Sequence, residues 1–344
     1  MTLTMTKLAL DQIRWRLERL GLLRQEYEQK LRQLGRLKRH EAWSYAYLVH
    51  PYLIGAPESR IADRFSNIFM NAMELSREGK ISPVDFSVTD TYMEVFTHIL
   101  EEYNTRGGVP FDVAAAARAP MLKYFEHGTP IGITLFDGYL IPSAPILVKY
   151  GKRRFLEPLL RTGDIRLANA SMYNNSGFLS SVRDDETSRT FFIPTYRERL
   201  SGLDYIVFEG NRIDLNDEDI ELPVVFDDYY LFSLCEHIHY RMPTDFDADA
   251  AIVIRDPIRF KQQLISTFLA RLPDWEVMEG PVTYYDPYRD YNKFNVPEMV
   301  KHFGYAYQKE VRVAFRPRVK PRAPLEPLHL SIGSMTDYAD LLFV

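Results

Sequence analysis

The spacing of hydrophobic residues in this 344-residue chain changes near residue 130. Before that point, apolar side chains recur every three or four positions, which is typical of amphipathic helices. After it, short runs rich in β-branched and aromatic residues are separated by turn-forming residues, which is typical of strands. The chain has helices first and then many strands, with only two helical segments among the strands. This order favours an α+β fold over an alternating parallel one.

This change of pattern predicts four parts. The first part, residues 1–40, is a long basic helix that could form a coiled coil, and the second, residues 41–130, is a helical domain. A linker rich in Pro and Gly, residues 131–145, is followed by a mixed, mostly antiparallel β-domain with a few helices, residues 146–344. In the helical domain we expect one helix ending at Gly79 and another broken at Pro120.

The first segment has a seam of apolar residues and an excess of basic ones. The seam consists of Leu10, Ile13, Leu17 and Leu20, and it resumes after Arg24 with Tyr27, Leu31 and Leu34. Three interpretations stay open, since fewer than four unbroken heptads is a weak signal. Residues 7–38 could form a homo-oligomer or bind a partner protein, pack on the body of the same chain, or contact nucleic acid.

Composition restricts the class of protein. The single cysteine, Cys235, excludes an intrachain disulfide and suits a reducing compartment. A net charge of −5 gives no general attraction to nucleic acid. The chain has no apolar run of about 18 residues and no signal-peptide pattern at its start, so we expect a cytoplasmic protein without a membrane span.

Two clusters could in principle bind a metal. Cys235, His237 and His239 occupy alternate positions, but ligands on one strand stand ~6.5 Å apart and converge poorly on Zn²⁺. Asp184, Asp185 and Glu186 could hold Mg²⁺ in a nuclease, although consecutive acids are more typical of a solvated helix end. We therefore predict no metal site, and we also expect no nucleophilic role for Cys235.

The stretch "FGYAYQKEVRVAF", residues 303–315, reads as one strand with two distinct faces. Val311, Val313 and Phe315 would face a core, whereas Gln308, Glu310 and Arg312 would share the other face. A fixed carboxylate there can stabilise the positive charge that develops at an anomeric carbon during glycosyl cleavage. The alternative is an exposed edge strand on which Glu310 and Arg312 simply pair.

The order of motifs along the second half of the chain resembles that of a bacterial domain family. That family's pattern runs Y-K-Y, F-N-D-P, C-F-S and Y-E-K-E-W-R, and the family in turn resembles the ADP-ribosyltransferase fold. The matching segments here are "VKY", "MYNN", "SLC" and "YQKEVR", which span roughly residues 146–343. This chain departs from the pattern at Asn175, which replaces the acid, and at Val311, which replaces Trp.

The resemblance implies a role for each matching residue. Glu310 would be catalytic and hydrogen-bonded to the ribose of NAD, with Gln308 beside it, and an amide at that place argues against arginine as acceptor. The residues expected to bind NAD as co-substrate are Lys149, Tyr150, Tyr173, Asn174, Ser233, Cys235 and Arg312.

The leading hypothesis is therefore an NAD-dependent ADP-ribosyltransferase-like enzyme, of the kind found among bacterial toxins and anti-phage effectors. It would break the nicotinamide–ribose bond and transfer ADP-ribose to a protein, a nucleic acid or water. The alternative is a regulatory module that binds a nucleotide or a protein without catalysis.

Overall fold

The computed structural model describes residues 2–84, 90–174, 185–208, 210–215, 219–290 and 296–344. Its α-helices are α1 (Thr2–Leu34), α2 (Arg39–Val49), α3 (Glu58–Ala72), α4 (Asp90–Thr105), α5 (Phe111–Leu122), α6 (Ile131–Leu135), α7 (Arg153–Thr162), α8 (Tyr196–Leu200), α9 (Met242–Asp245) and α10 (Pro257–Arg271). Short 3-10 helices occupy Lys123–Phe125, Ala170–Asn174, Pro297–Met299 and Phe303–Gln308.

The strands are short and concentrate in the second half of the chain. They are β1 (Met73–Leu75), β2 (Ile81–Pro83), β3 (Leu147–Gly151), β4 (Asp164–Asn169), β5 (Ser188–Ile193), β6 (Tyr205–Phe208), β7 (Asn211–Asp214), β8 (Ile220–Val225), β9 (Tyr230–Cys235), β10 (Ala250–Ile254), β11 (Trp275–Pro281), β12 (Thr283–Tyr285), β13 (Val300–His302), β14 (Glu310–Pro317), β15 (Leu328–Ser331) and β16 (Ala339–Phe343).

The central sheet has the strand order β11-β14-β9-β3-β10-β16, and β4 joins it through β9 while β15 pairs with β4. Every pairing in this sheet is antiparallel. The parallel pair β12–β13 lies outside it. An N-terminal helical region followed by mostly antiparallel sheets confirms the α+β class.

One face of the central sheet packs against α7 and α10. Side chains from both helices, including Leu156, Phe260 and Phe268, join the sheet residues Val313 and Phe315 in one buried cluster. α10 begins at a capped position, where the Asp256 carboxylate accepts the backbone N–H of Arg259 at 3.0 Å. Because this face is filled with apolar side chains, the polar residues of the same strands point to the opposite face.

The long helix α1 packs on the body of the chain between Ile13 and Tyr27. Ile13 and Leu20 are buried in a cluster with residues of α2, α3 and α4, and Leu17 and Tyr27 pack against it. The seam does not continue into the last turns, because Leu34 is 69% exposed. Packing on the same chain thus accounts for the central seam, and the binding of a partner through residues 7–38 stays a prediction. None of the described helices is long and apolar enough to cross a membrane.

Two local predictions for the first half of the chain were wrong. α3 ends at Ala72 rather than near Gly79, because the chain turns into the antiparallel hairpin β1–β2. α5 runs through Pro120 without a break, since the proline lies in its last turn and disrupts little of the helix. The predicted linker contains the short helix α6.

Residues 303–315 do not form one strand, which corrects the prediction from alternation. Phe303–Gln308 is a 3-10 helix, and β14 begins only at Glu310. Lys309 separates the two with a left-handed φ of 43°, which is uncommon for a residue other than Gly. Within β14 the predicted faces are confirmed, since Val311, Val313 and Phe315 belong to the apolar cluster. The strand lies between β11 and β9, so the exposed-edge interpretation was also wrong.

Candidate functional site

A cavity of about 210 Å³ opens on the face of the sheet opposite α7 and α10. The strands that form its wall meet at Cys235, which is the register partner of Glu310 in β14 and of Val148 in β3. The lining residues are Val148, Lys149, Tyr150, Tyr173, Glu186, Leu231, Ser233, Leu234, Cys235, Phe246, Lys301, Gln308 and Glu310. Seven of the nine site residues predicted from the sequence line the cavity. Arg312 is not in the lining but contacts Glu310, which is.

Glu310 is the most tightly held carboxylate of the cavity. Its Oε1 accepts hydrogen bonds from Ser233 Oγ at 2.6 Å and from Arg312 Nε at 2.8 Å, while Oε2 accepts one from Lys301 Nζ at 2.9 Å. Its backbone N–H donates to Tyr284 Oη at 2.8 Å. The residue is only 4% exposed, so these partners fix one orientation of the side chain.

The surroundings of Glu310 keep it ionised. Burial alone raises the pKa of a carboxyl, but the charges of Arg312 and Lys301 outweigh burial here. Hydrogen bonds from Arg312 and Ser233 act in the same direction, and the pKa of Glu310 is well below its ordinary value. A carboxylate that stays charged at neutral pH cannot donate a proton, but it can stabilise a nearby positive charge.

Gln308 reaches the same site from a different element. Its side-chain oxygen accepts a hydrogen bond from Lys301 Nζ at 3.1 Å, so one ammonium group bridges Gln308 and Glu310. The two residues therefore converge, although they do not share a strand face as predicted. They converge because the left-handed Lys309 turns the chain and because Lys301 in β13 lies within reach of both.

Behind Glu310 lies a buried network of charges. Arg312 is 0% exposed and donates to both oxygens of Glu186, at 2.8 and 2.9 Å, in addition to its bond with Glu310. Glu186 also accepts from Arg189 Nη2 at 3.0 Å and from Tyr229 Oη at 3.1 Å. Burial opposes ionisation of Glu186, yet Arg312, Lys301 and Arg189 lower its pKa. Two carboxylates are thus kept charged by the same guanidinium group.

Lys149 and Ser233 are linked on neighbouring strands. Lys149 Nζ donates to the backbone oxygen of Ser233 at 2.8 Å and lies 4.5 Å from the centre of the Phe232 ring. Burial lowers the pKa of Lys149, with Cys235 and Glu310 acting in the opposite direction. The lysine therefore brings a cationic group to the cavity wall while it orients the strand that carries Ser233.

Cys235 lines the cavity as a buried thiol. Burial, together with the charge of Glu310, raises its pKa to about 12 against the opposing effect of Lys149 and Lys301. Since the thiolate is the nucleophilic form, this shift leaves little of the reactive species at neutral pH. The absence of a nucleophilic role for Cys235 stays a prediction.

The structure separates the two tyrosines predicted to bind the ligand from the asparagine. Tyr150 and Tyr173 line the cavity, and Tyr150 Oη accepts the backbone N–H of His239 at 2.8 Å. Asn174 does not line it, because its amide is exposed and donates to Asp185 Oδ2 at 3.3 Å. The structure thus brings Glu310 and Tyr150 to one cavity and leaves Asn174 outside it.

Sequence reasoning missed Lys301 and misjudged Glu186. Lys301 lies in β13, a strand too short to be recognised by alternation. Glu186 belongs to an acidic run that was interpreted as a solvated helix end, but it is 3% exposed and precedes β5. Asn175 and Asp184 lie outside the described residues. Among those described, no group of three or more His, Cys, Asp or Glu side chains could hold a metal ion.

The cavity therefore combines two ionised carboxylates, an amide, two lysines and aromatic side chains. This set can bind a polar ligand and stabilise positive charge on it. No protein-family model, curated protein or solved structure matches the chain.

Proposed function

We propose that the cavity binds the nicotinamide–ribose end of NAD and that Glu310 promotes cleavage of the glycosidic bond. The observation that carries this proposal is the buried, ionised carboxylate of Glu310 at the wall of a cavity of about 210 Å³. In the reaction, the bond between the anomeric carbon and the nicotinamide nitrogen breaks and nicotinamide leaves as a neutral molecule. The bonding electron pair leaves with the nicotinamide nitrogen, and the oxygen of an acceptor hydroxyl or of water forms the new bond to the anomeric carbon and releases its proton to solvent.

Glu310 has room for the substrate contact that this chemistry requires. Among the described residues, its Oε2 accepts a hydrogen bond from Lys301 only, whereas a carboxylate oxygen can accept two. A ribose hydroxyl can take the second position, which holds the carboxylate beside the anomeric carbon. Gln308, held by the same lysine, would contact the acceptor or the ribose, as its place in the ADP-ribosyltransferase-like motif implies.

The size of the cavity limits what it encloses. About 210 Å³ is below the range of roughly 300–1,000 Å³ typical of pockets that enclose a drug-sized ligand. The proposal therefore places only the reacting end of NAD in the cavity. Tyr150, Tyr173 and Phe246 would surround the nicotinamide ring, and Lys149 and Lys301 would contact oxygen atoms of the ligand.

The proposal is tested by incubating the purified protein with NAD and measuring nicotinamide release. Glu310→Gln should reduce the rate at least 100-fold, because it removes the negative charge from the site. The matched control is Glu276→Gln in β11, a half-exposed glutamate of the same sheet that pairs with Arg316. It should leave the rate unchanged.

A second variant protects the test against misfolding. Ser233→Ala removes one hydrogen bond to Glu310 and keeps every charge, so it should lower the rate about tenfold while circular dichroism stays normal. The proposal is wrong if the wild type neither binds NAD nor releases nicotinamide. It is equally wrong if a folded Glu310→Gln variant keeps the wild-type rate.

A toxin or anti-phage role would follow from modification of a macromolecule, and it predicts that expression arrests cell growth in a Glu310-dependent way. Such a role requires access to cytoplasmic NAD.

Incubation of a cell extract with labelled NAD would identify the acceptor class. Label in protein that nuclease does not remove indicates a protein acceptor, and label removed by nuclease indicates a nucleic acid.

The second candidate function is nucleotide binding without turnover. The observation that favours it is the engagement of Glu310 by three protein donors, which leaves it less available to a substrate. In that case a nucleotide should raise the melting temperature of the protein while no nicotinamide is released. Ser233→Ala should then alter the affinity alone.

A further inference from the structure

A second cavity, of about 550 Å³, lies between α3 and the 3-10 helix Phe303–Gln308. Five of its described lining side chains are aromatic: Phe192, Tyr285, His302, Tyr305 and Tyr307. Its volume falls within the range of roughly 300–1,000 Å³ in which small-molecule pockets usually lie.

The polar lining of this second cavity comes from regular elements. Ser188, Thr190 and Phe192 alternate along β5 and present one face to the cavity, while Arg189 and Phe191 point inward and are buried. α3 contributes Ser66 and Asn67 from the opposite side. The hydroxyl and amide groups therefore stand on rigid elements, which suits them to bind the edge of a flat ring.

Among the residues that the structure describes, the lining of the second cavity carries little charge. Its lysine, Lys123, pairs with Asp245 at 2.8 Å. Burial, with the charges of Arg64 and Arg189, lowers the pKa of His302 to about 4, so the imidazole is neutral at pH 7. Asp185 is the lining carboxylate, and it already accepts hydrogen bonds from Asn174 and Thr187. A highly charged ligand would find few partners here, whereas a neutral ring with hydrogen-bonding edges would find many.

We propose that the second cavity is a binding site for a nucleoside, with the heteroaromatic base among the aromatic rings. Stacking on Tyr or Phe stabilises a base through its face, and Ser, Thr and Asn side chains satisfy its ring nitrogens and exocyclic groups. Such a site does not depend on cleavage of NAD in the first cavity. A nucleoside there would be a ligand in its own right.

The two cavities share a wall, so occupancy of one should affect the other. Gln308 Nε2, at the first cavity, donates to the Tyr307 hydroxyl at 3.5 Å, and Lys301 Nζ lies 4.8 Å from the centre of the Tyr305 ring. A ligand in contact with Tyr305 and Tyr307 therefore touches the residues that hold Lys301 and Gln308.

The proposal is tested by isothermal titration calorimetry with adenosine. The wild type should bind it with one site per chain, and Ser188→Trp, which fills the cavity from β5, should weaken binding at least tenfold. The matched control is Ser331→Trp on the exposed face of β15, which should bind adenosine like the wild type. Glu310→Gln should also retain binding, which separates this site from the first cavity.

Two results would overturn the proposal. One is a wild type that gives no heat of binding at millimolar adenosine. The other is equal affinity in Ser188→Trp and Ser331→Trp. If Ser188→Trp does not fold, Phe192→Leu replaces it in the test. The loss of one stacking ring should weaken adenosine binding several-fold in a folded protein. An unchanged affinity of folded Phe192→Leu would refute the site.

Discussion

The side-chain oxygen of Asn71 accepts the backbone N–H of Tyr307 at 2.6 Å. The amide nitrogen of the same residue donates to the backbone oxygens of Phe303 at 3.0 Å and Gly304 at 3.3 Å. Asn71 lies in α3 and is buried, so the helical region directly holds the 3-10 helix that ends in Gln308. The close approach also requires Gly304, since a Cβ there would lie 2.8 Å from Asn67 Oδ1.

This contact predicts that Asn71→Ala affects both stability and the candidate site. It leaves a buried N–H and two carbonyl groups without their partner, at a cost of about 1–3 kcal/mol in the free energy of unfolding. Urea denaturation measures this, and NAD affinity should fall because Gln308 loses its support. The control is Asn104→Ala on the exposed face of α4, which should change stability by less than about 0.5 kcal/mol. Similar effects of the two variants would contradict the positioning role of Asn71.

Arg312→Met should be the most destabilising change at the site. It leaves Glu310 and Glu186 buried and facing each other without the guanidinium group that both contact. Removal of one partner from a buried ion pair costs about 3–5 kcal/mol. On the same strand, Arg316→Met breaks a half-exposed pair with Glu276 and a pair with the buried Glu298, and it should cost less than Arg312→Met because the Arg316 side chain itself is 40% exposed. Thermal or chemical denaturation compares them, and equal losses would show that the buried network contributes little.

The single cysteine should be protected from alkylation in the folded protein. Burial raises the pKa of Cys235 to about 12, so the thiolate is scarce at pH 7 and the thiol is inaccessible. Iodoacetamide should therefore modify the protein slowly under native conditions and rapidly in urea, as mass spectrometry can follow. Rapid alkylation of the native protein at pH 7 would contradict the structure around the cavity.

Stability should fall as the pH is lowered from about 6.5 to 4, in part because of His98. Burial, with the charges of Arg289 and Arg64, lowers its pKa from 6.5 to about 4. The unfolded chain therefore binds a proton in this window that the folded protein does not, which costs the folded state up to roughly 3 kcal/mol. Its ring nitrogens contact Tyr52 Oη and the Trp43 backbone oxygen, both at 3.1 Å, which suits a neutral imidazole.

The measurement is the free energy of unfolding of His98→Gln at several pH values between 7 and 4. The variant should lose less stability on acidification than the wild type. His127→Gln, at an exposed position, serves as control and should follow the wild-type curve. If His98→Gln shows the full wild-type dependence, the histidine does not contribute to acid sensitivity.

The sequence by itself determined the fold class and the apolar face of β14. Periods of 3.6 and 2 are local properties of the chain, so the change from helices to strands and the burial of Val311, Val313 and Phe315 were predicted from them. The order of polar motifs also selected residues that the structure brings to one cavity. These include Glu310, Ser233 and Lys149, each of which lies on a strand of that sheet.

Only the tertiary structure decided which charges are buried together. Glu186 and Arg312 are 126 residues apart in sequence, and no periodicity indicates that they meet. The same holds for Asn71 and Tyr307, which belong to different parts of the predicted domain division. The alternating pattern also did not indicate the left-handed backbone conformation of Lys309, because a 3-10 helix and a strand can carry similar short sequences. Local pattern fixes which face of an element is apolar, whereas long-range packing decides which polar groups lose their water and must pair.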